Sequence, residues 1–314
     1  MCTAFSSFGL FGRTLDFEHS FGEKFVFIPR RAGLDFLVGA ADSHFAFMGV
    51  GIAERGFPLL FDGVNEQGVF VAALNFPKSA RYAESRGAGQ EIASFEVVPL
   101  LLAKCKSAAE GAALLGESRI VNNSFSEKMP PSPLHWFIAN NDACFTAEAT
   151  ASGTTVYENR IGVLTNEPPF PYQLEYLSGF SGLSAVPRTG GFTERLGLTP
   201  HSRGVGAIGL PGDFSSPSRF VRAAFALHNT DIEDSQECKV ARFFRIASIV
   251  SIPRGLVKTE KGESVYTVYT SCASKGGYAY TTYCDLTLHE KSFSEFDLEE
   301  NVISISEMQR KVCV

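Results

Sequence analysis

The chain is expected to be an α+β protein in which two antiparallel sheets lie between helical layers, a four-layer αββα sandwich. Three observations point there. The element order runs strands, helices, strands, helices, strands, an order that such a sandwich accommodates. No linker or internal repeat divides the 314 residues, so residues 1–314 read as one domain. The composition, 45% hydrophobic and 20% charged, is that of an ordinary globule with enough apolar material for a large core.

Residues 1–75 read as strands. "CTAFSSF" and "FGRTLDF" flank a very short turn containing Gly9, which predicts a hairpin. "KFVFIP", "DFLVGA", "FAFMGVGIA", "PLLFDGV" and "VFVAALNF" follow, rich in β-branched and aromatic residues and separated by Gly, Pro, Asn and Asp. A helix is expected over roughly 94–116, with Ser107 and Glu110 in a capping-box pattern. Strands resume with "LHWFIAN", "CFTAEAT", "TTVYEN" and "IGVLTN". From about 178 to 216 the chain is dense in Gly, Pro and Ser and reads as surface loops. "SSPSRFVRAAFALHN" predicts a helix with Ser216 as N-cap and Pro217 at its first position. A further helix covers about 232–250, and "SVYTVYTSC" and "GYAYTTYC" return to strands.

Charge and cysteine usage narrow the classes. The formal charge is -6 and Lys and Arg are scattered, with "RR" at 30–31 the densest basic spot. A nucleic-acid partner normally needs a basic stripe and is set aside. A small anionic substrate stays open, because one arginine can hold a carboxylate or sulfonate. The seven cysteines (Cys2, Cys105, Cys144, Cys238, Cys272, Cys284, Cys313) form no CxxC and no cysteine–histidine set at zinc-ligand spacing. They read as free thiols in a reducing cytoplasm, all but Cys2 as small core hydrophobes. The first twelve residues carry no charge, which argues against a secretory signal. The longest apolar runs are too short for a membrane span, so no membrane partner is expected and the chain is placed in the cytoplasm.

Cys2 is the cysteine in an unusual place. Initiator methionine is usually trimmed before a small residue, and trimming makes Cys2 residue one. It then carries a thiol and an α-amine whose ordinary pKa is about 8, a nucleophile and a base on one residue. Such a site needs no histidine. It needs an acceptor that holds the amine, a cation that favours the thiolate, and donors for a tetrahedral oxyanion. "GRTLDF" supplies Arg13 and Asp16, but strand alternation places these two on opposite faces unless a bulge intervenes.

Six blocks in order, "MCT", "FGRTLDFE", "VNEQGVFVAALNFP", "PSPLHWFIAN", "VLTNEPPFPYQLEYL" and "GLPGDFSSPSRFVRAAF", resemble the choloylglycine hydrolase (bile salt hydrolase) and penicillin V acylase family of N-terminal-nucleophile hydrolases. The resemblance implies the αββα fold and these roles. Cys2 is the nucleophile with its freed amine as base, Arg13 stands beside the thiol, and Asp16 holds the amine. Asn75 and Asn166 form the oxyanion hole and orient the scissile amide, and Arg219 buttresses the site. Thr14 and "DFE" depart from the family's usual "GRNLD" and "DW", which leaves Phe17 and Glu18 as candidate lining of the acyl pocket. Phe57, Phe61 and Phe76 are further candidates for an apolar wall.

The family divides between conjugated bile salts and phenoxyacetyl-type amides. Bile-salt-cleaving members resemble "LNFP" at Asn75, whereas penicillin V acylases tend to carry tyrosine there. The expectation is therefore hydrolysis of glycine- or taurine-conjugated bile acids, a small-molecule substrate, with no metal or cofactor. Cleavage of penicillin V or N-acyl homoserine lactones by the same groups is the alternative. A third reading, a protein that binds bile acids without catalysis, finds no support in the residues, since all six groups are present. "NNSFSEKMPPSPLHWF" (122–137) reads as a lid loop. The resemblance also implies a homotetramer.

Overall fold

The structure, a computed structural model, describes residues 1–87, 89–187, 192–231 and 235–308. The chain opens with strands β1 (Cys2–Ser7) and β2 (Leu10–Phe17), then β3 (Lys24–Ile28), β4 (Leu34–Phe36), β5 (Gly39–Ala41), β6 (Phe47–Glu54), β7 (Phe57–Asn65), β8 (Phe70–Asn75) and β9 (Glu91–Ala93). Helices α1 (Val97–Lys104) and α2 (Ala108–Glu117) follow. Then come β10 (Arg119–Val121), β11 (Leu134–Ala139), β12 (Cys144–Thr150), β13 (Gly153–Glu158) and β14 (Val163–Leu164). After α3 (Phe170–Ser178), α4 (Ser216–Asn229) and α5 (Gln236–Ser248), the chain ends in β15 (Val257–Lys258), β16 (Ser264–Ser274), β17 (Gly277–Thr282), β18 (Asp285–Ser292) and β19 (Ser304–Glu307).

The fold is the αββα sandwich. One sheet has the order β14-β1-β2-β16-β17-β18, with β15 added to β16; the other runs β13-β12-β11-β8-β7-β6-β3-β19. β1 and β2 face β8 across the two sheets, α4 and α5 cover the outer face of the first, and α1 and α2 cover the second. Because the second sheet is covered on both sides, its central strands are apolar on both faces. Phe70, Ala72 and Leu74 of β8 enter the cluster shared with the first sheet, and Val71 and Ala73 enter the cluster under α1 and α2. That is why "VFVAALNF" is a continuous apolar run rather than an alternating one.

The β1–β2 hairpin turns at Phe8 and Gly9, both with positive φ. At Gly12 the first sheet is pinched: a Cβ there would lie 2.0 Å from Ser271 O on β16, so only glycine admits this approach.

Several elements differ from expectation. The helix at 94–116 is two helices, broken at Cys105–Ser107. Ser107 caps the second and accepts from Glu110 N, while the Glu110 carboxylate returns to Lys106 N rather than to Ser107, so the box is displaced by one residue. "DFLVGA" folds back on itself as the β4–β5 hairpin. α3 was not expected, and neither was β19, which returns from the C-terminal end to pair with β3. Ser215, not Ser216, is the N-cap of α4. The loop-rich stretch holds two short 3-10 turns, Glu194–Leu196 and Val205–Ala207; residues 188–191 of it, and 232–234 of the expected last helix, lie outside the described residues. Cys2, Cys105, Cys144, Cys238 and Cys272 are free, but Cys238 is exposed on α5. Cys284 is in a disulfide, contrary to the expectation of free thiols throughout, and Cys313 lies outside the described residues. Among the described residues no helix is long and apolar enough to cross a membrane.

Candidate active site

Strand register decides what each face of the β1–β2 hairpin presents. Cys2 lies opposite Leu15 and Ala4 opposite Arg13, so the Cys2 and Arg13 side chains share the face turned to the other sheet. Thr3 lies opposite Thr14, and these share the helical face with Asp16. Arg13 and Asp16 are thus on opposite faces of β2, as alternation required.

On the inner face, Cys2 and Arg13 are both buried, and Arg13 Nη2 donates to Cys2 Sγ at 2.5 Å. The second sheet anchors this guanidinium. β7 and β8 pair only as far as Asp62 opposite Ala72, and the next carbonyls along each strand, Phe61 O and Ala73 O, both accept from Arg13 Nη1, at 3.2 and 2.6 Å. Arg13 thus fills a split between two strands with the donors the ladder lacks. Burial opposes its charge, but Cys2 first, then Tyr269, Asp62 and Asp16, offset that cost and hold the guanidinium above its ordinary range. Asp62 itself is fully buried and accepts from the Tyr269 and Tyr278 hydroxyls; burial pushes its carboxyl upward against the pull of Arg13 and the two tyrosines.

On the outer face, Arg219 from the first turn of α4 is fully buried. Its Nη1 donates to Cys2 O and to Thr3 Oγ1, its Nη2 donates to Asn166 Oδ1 at 2.7 Å, and the Asp16 carboxylate lies 3.9 Å away. Burial lowers the Arg219 pKa, and Asp16 and Cys2 only partly offset it. Asp16 is also fully buried and accepts from Thr14 Oγ1 and from Thr267 Oγ1 on β16, beside a register shift between Thr267 and Tyr269.

At the edge, Cys2 N donates to Asn166 Oδ1 at 2.8 Å, and Asn166 Nδ2 donates to Asn75 O at 2.8 Å. Asn75 and Asn166 are therefore brought together although they close strands of different sheets. Phe76 N donates to Pro133 O on the β11 side. Alternate residues send their peptide groups to opposite edges, so the N–H of Asn75 points the other way, to the edge on which Ala73 O meets Arg13.

While Met1 is present the Cys2 nitrogen is an amide, and it bonds Asn166 rather than the Asp16 carboxylate expected to hold the freed amine. Met1 lies directly across from Asp16 and exchanges two backbone hydrogen bonds with it, and the planar Cys2 amide sends its one hydrogen to Asn166. Of the apolar candidates, Phe61 meets Arg13 through its carbonyl, Phe17 and Phe61 both contact Phe21, and His19 joins the group. Phe57 instead packs with Phe36, Phe95 and Phe125 under the helices, and Phe76 is wholly buried, stacked on His135 at 4.2 Å. Neither faces the thiol cleft. Glu18 is half-buried just past β2. The stretch 122–137 runs into β11, where Leu134 pairs with Asn75, and the Tyr82 hydroxyl ties it down, donating to Ser132 O and accepting from Leu134 N.

Sequence reasoning missed the groups that carry the Asn166 loop. His135 Nε2 faces Thr165 O at 2.9 Å, and a carbonyl only accepts, so that nitrogen bears the hydrogen; Nδ1 meets Glu148 at 3.2 Å. Gln173 Nε2 donates to Asn166 O and Pro168 O, and Ser216 Oγ accepts from Asn166 N. The signal available was the quoted blocks themselves, in which His135, Gln173 and Ser216 all stand. Among the described residues no group of three or more His, Cys, Asp or Glu side chains is placed to hold a metal ion.

The family described as linear amide C–N hydrolases, choloylglycine hydrolase family, matches residues 3–306. A bile salt hydrolase/transferase of Lactiplantibacillus plantarum is 37% identical over 305 residues, 95% of this chain and 94% of that protein. A conjugated bile acid hydrolase of Lactobacillus acidophilus is 32% identical over 88% of this chain and 87% of its own. The crystal structure of a variant conjugated bile acid hydrolase from Clostridium perfringens is similar at TM-score 0.89 and 30% identity, covering 100% of this chain and 99% of that one. Penicillin V acylase from Agrobacterium tumefaciens, 17% identical with TM-score 0.78 over 98% of this chain and 91% of its own, shares the fold.

Proposed function

The chain belongs to the choloylglycine hydrolase family of linear amide C–N hydrolases, and from that premise we propose that it hydrolyses the amide of glycine- or taurine-conjugated bile acids as a single catalytic domain. The observation that carries the reading is that one residue has both its reactive atoms held: Cys2 Sγ by Arg13 at 2.5 Å and Cys2 N by Asn166 at 2.8 Å.

Loss of Met1 turns the Cys2 amide into a free amine beside Asn166 Oδ1, and releases the backbone of Asp16 from its pairing with Met1. Asp16 is then the carboxylate assigned to the ammonium form. The amine takes the thiol proton, and the sulfur, to which Arg13 donates, attacks the carbonyl carbon. The oxyanion is assigned to Asn75 and Asn166 together with backbone N–H groups, the Asn75 N–H among them. Collapse of the tetrahedral adduct breaks the C–N bond as the ammonium gives its proton to the departing glycine or taurine. Water, deprotonated by the same amine, then hydrolyses the thioester and restores the thiol. Arg219 holds the Cys2 carbonyl, and so the strand end, in place throughout.

Asn75 at "LNFP", the named activities of the relatives, and the Phe17–Phe21–Phe61 group, joined to Arg13 through Phe61 O, support a bile-salt acyl group. Incubation with glycocholate, taurocholate and penicillin V, with assay of the released amine, tests it: release from both bile salts is expected, and turnover of penicillin V alone defeats the reading. The reading also includes a cytoplasmic homotetramer, checked by cell fractionation and by mass measurement in solution.

A further inference from the structure

Three consecutive residues after β14 reach across to the other sheet. Thr165 O faces His135 on β11, Asn166 Nδ2 donates to Asn75 O, and Glu167 accepts from the turn that follows Asn75. The last contact is the densest. Glu167 Oε1 takes Lys78 N at 2.7 Å and Ser79 N at 2.9 Å, and Oε2 takes Ser79 Oγ at 2.7 Å. We propose that Glu167 is a positioning residue that sets the spacing between Asn75 and Asn166 across the two sheets. The inference rests on the assignment of those two asparagines to the oxyanion.

The reasoning is geometric. Asn75 ends β8 of one sheet, and Asn166 follows β14 at the edge of the other, with no ladder between them. Their direct bond, Asn166 Nδ2 to Asn75 O, uses a group that must also serve the substrate. His135 fixes the residue before Asn166. Gln173, Ser216 and Arg219 also hold Asn166, but none of them is joined to the turn after Asn75; a hold on the residue after Asn166 that is joined to that turn keeps the pair from splaying as the oxyanion forms. Glu167 supplies it with three bonds to two adjacent residues. A carboxylate that accepts from two peptide N–H groups and a hydroxyl is a rigid bracket, and the first N–H it holds lies three residues beyond Asn75. Misplacement of an oxyanion donor by about 1 Å costs on the order of 100-fold in rate while leaving ground-state binding nearly unchanged.

Glu167→Ala, Glu167→Asp and Glu167→Gln, compared with wild type, test the assignment. Glutamine keeps one oxygen for both N–H groups, and its amide can donate to the Ser79 hydroxyl, so it should retain at least about a third of kcat. Alanine removes the bracket and aspartate falls short by a methylene; each should lose about 10- to 100-fold in kcat. KM and the rate at which iodoacetamide alkylates Cys2 should stay within about twofold in all three, because neither uses the oxyanion donors. A general loosening of the fold would move alkylation and melting temperature together with kcat. Should the alanine variant not fold, the aspartate variant decides. Wild-type kcat in the alanine or aspartate variant, or a glutamine variant as impaired as alanine, overturns the proposal. The assays use whichever amide the wild type cleaves: hydrolysis of penicillin V alone overturns the bile-salt reading and leaves the bracket to be judged on that substrate. A wild type inert to all three amides overturns both.

Discussion

Arg13 and Arg219 grip Cys2 from opposite faces of one strand: Arg13 donates to the sulfur on the inner face, and Arg219 donates to the carbonyl on the outer. The two buried cations divide the work. Arg219 meets atoms that do not react, whereas Arg13 meets the nucleophile and is braced by Phe61 O and Ala73 O. Arg13→Met should therefore slow iodoacetamide alkylation of Cys2 by about tenfold or more, since the sulfur loses the cation that donates to it. It should also cost about 1–3 kcal/mol of stability, because two buried carbonyls lose their donor. Unchanged alkylation in folded Arg13→Met protein would remove Arg13 from the nucleophile's chemistry.

Asn166 is the junction of three chains of contact, with its Oδ1 facing Cys2 N and Arg219 and its Nδ2 facing Asn75. Asn166→Asp keeps the shape and the accepting oxygen but replaces the donor with a second acceptor aimed at Asn75 O. Loss of one oxyanion donor costs about 100- to 1,000-fold in kcat. That loss, with KM within a few-fold, is the expected outcome of steady-state assays on glycocholate. A variant that loses only affinity would place Asn166 in substrate binding instead.

How far the site could be read from the chain depends on the range of the interaction that makes it. The β1–β2 hairpin was legible because Gly9 and the flanking strand residues are local, and the opposite faces of Arg13 and Asp16 follow from alternation alone. Asn75, Asn166 and Arg219 were found through motif resemblance, and no local pattern would have paired them, since their contacts span up to 217 residues. The four phenylalanine candidates show the limit. Phe17 and Phe61 join in a partly buried group around Phe21, but Phe57 and Phe76 are core, and a composition rich in Phe carries no information on which face of a covered sheet each one takes. His135, Glu148 and Gln173 were missed because buried polar networks are assembled from residues that each look ordinary in their own strand or helix. The break between α1 and α2 was missed although Lys104, Lys106 and the Ser107 cap pattern interrupt the apolar run there, because a cap pattern placed inside an expected helix was not read as a new start.

Trimming of Met1 is the step on which catalysis turns. Protein made in a bacterial host should have an intact mass short by one methionine residue, and a preparation that keeps Met1 should be inactive toward glycocholate, because an amide nitrogen has no basic lone pair. Cys2→Ser is the matched control. Its hydroxyl still accepts from Arg13, so the melting temperature should stay within a few degrees while turnover falls by about 1,000-fold or more. A Met1-bearing preparation with full activity contradicts the assignment of the amine as base.

Cys105 contrasts with Cys2: it is the C-cap of α1, packed in the cluster under α1 and α2, with its carbonyl held by Asn65 Nδ2. Burial, reinforced by Glu110 and opposed by Lys104, pushes its thiol from an ordinary value near 9 up to about 12. The sign follows from linkage. Between those values the unfolded thiol has given up its proton and the folded one has not, so the unfolded state binds fewer protons and stability falls as pH rises. The slope from this one group is at most about 1.4 kcal/mol per pH unit. Cys105→Ala should cost about 1 kcal/mol at pH 7 by loss of packing, leave activity unchanged, and lose less stability than wild type between pH 9 and 11. Urea unfolding at pH 7, 9 and 11 reads both effects. Two parallel stability curves would show that the Cys105 thiol carries no share of the alkaline loss, which then falls to other buried groups such as Cys272 and Tyr269, whose pKa values burial also raises.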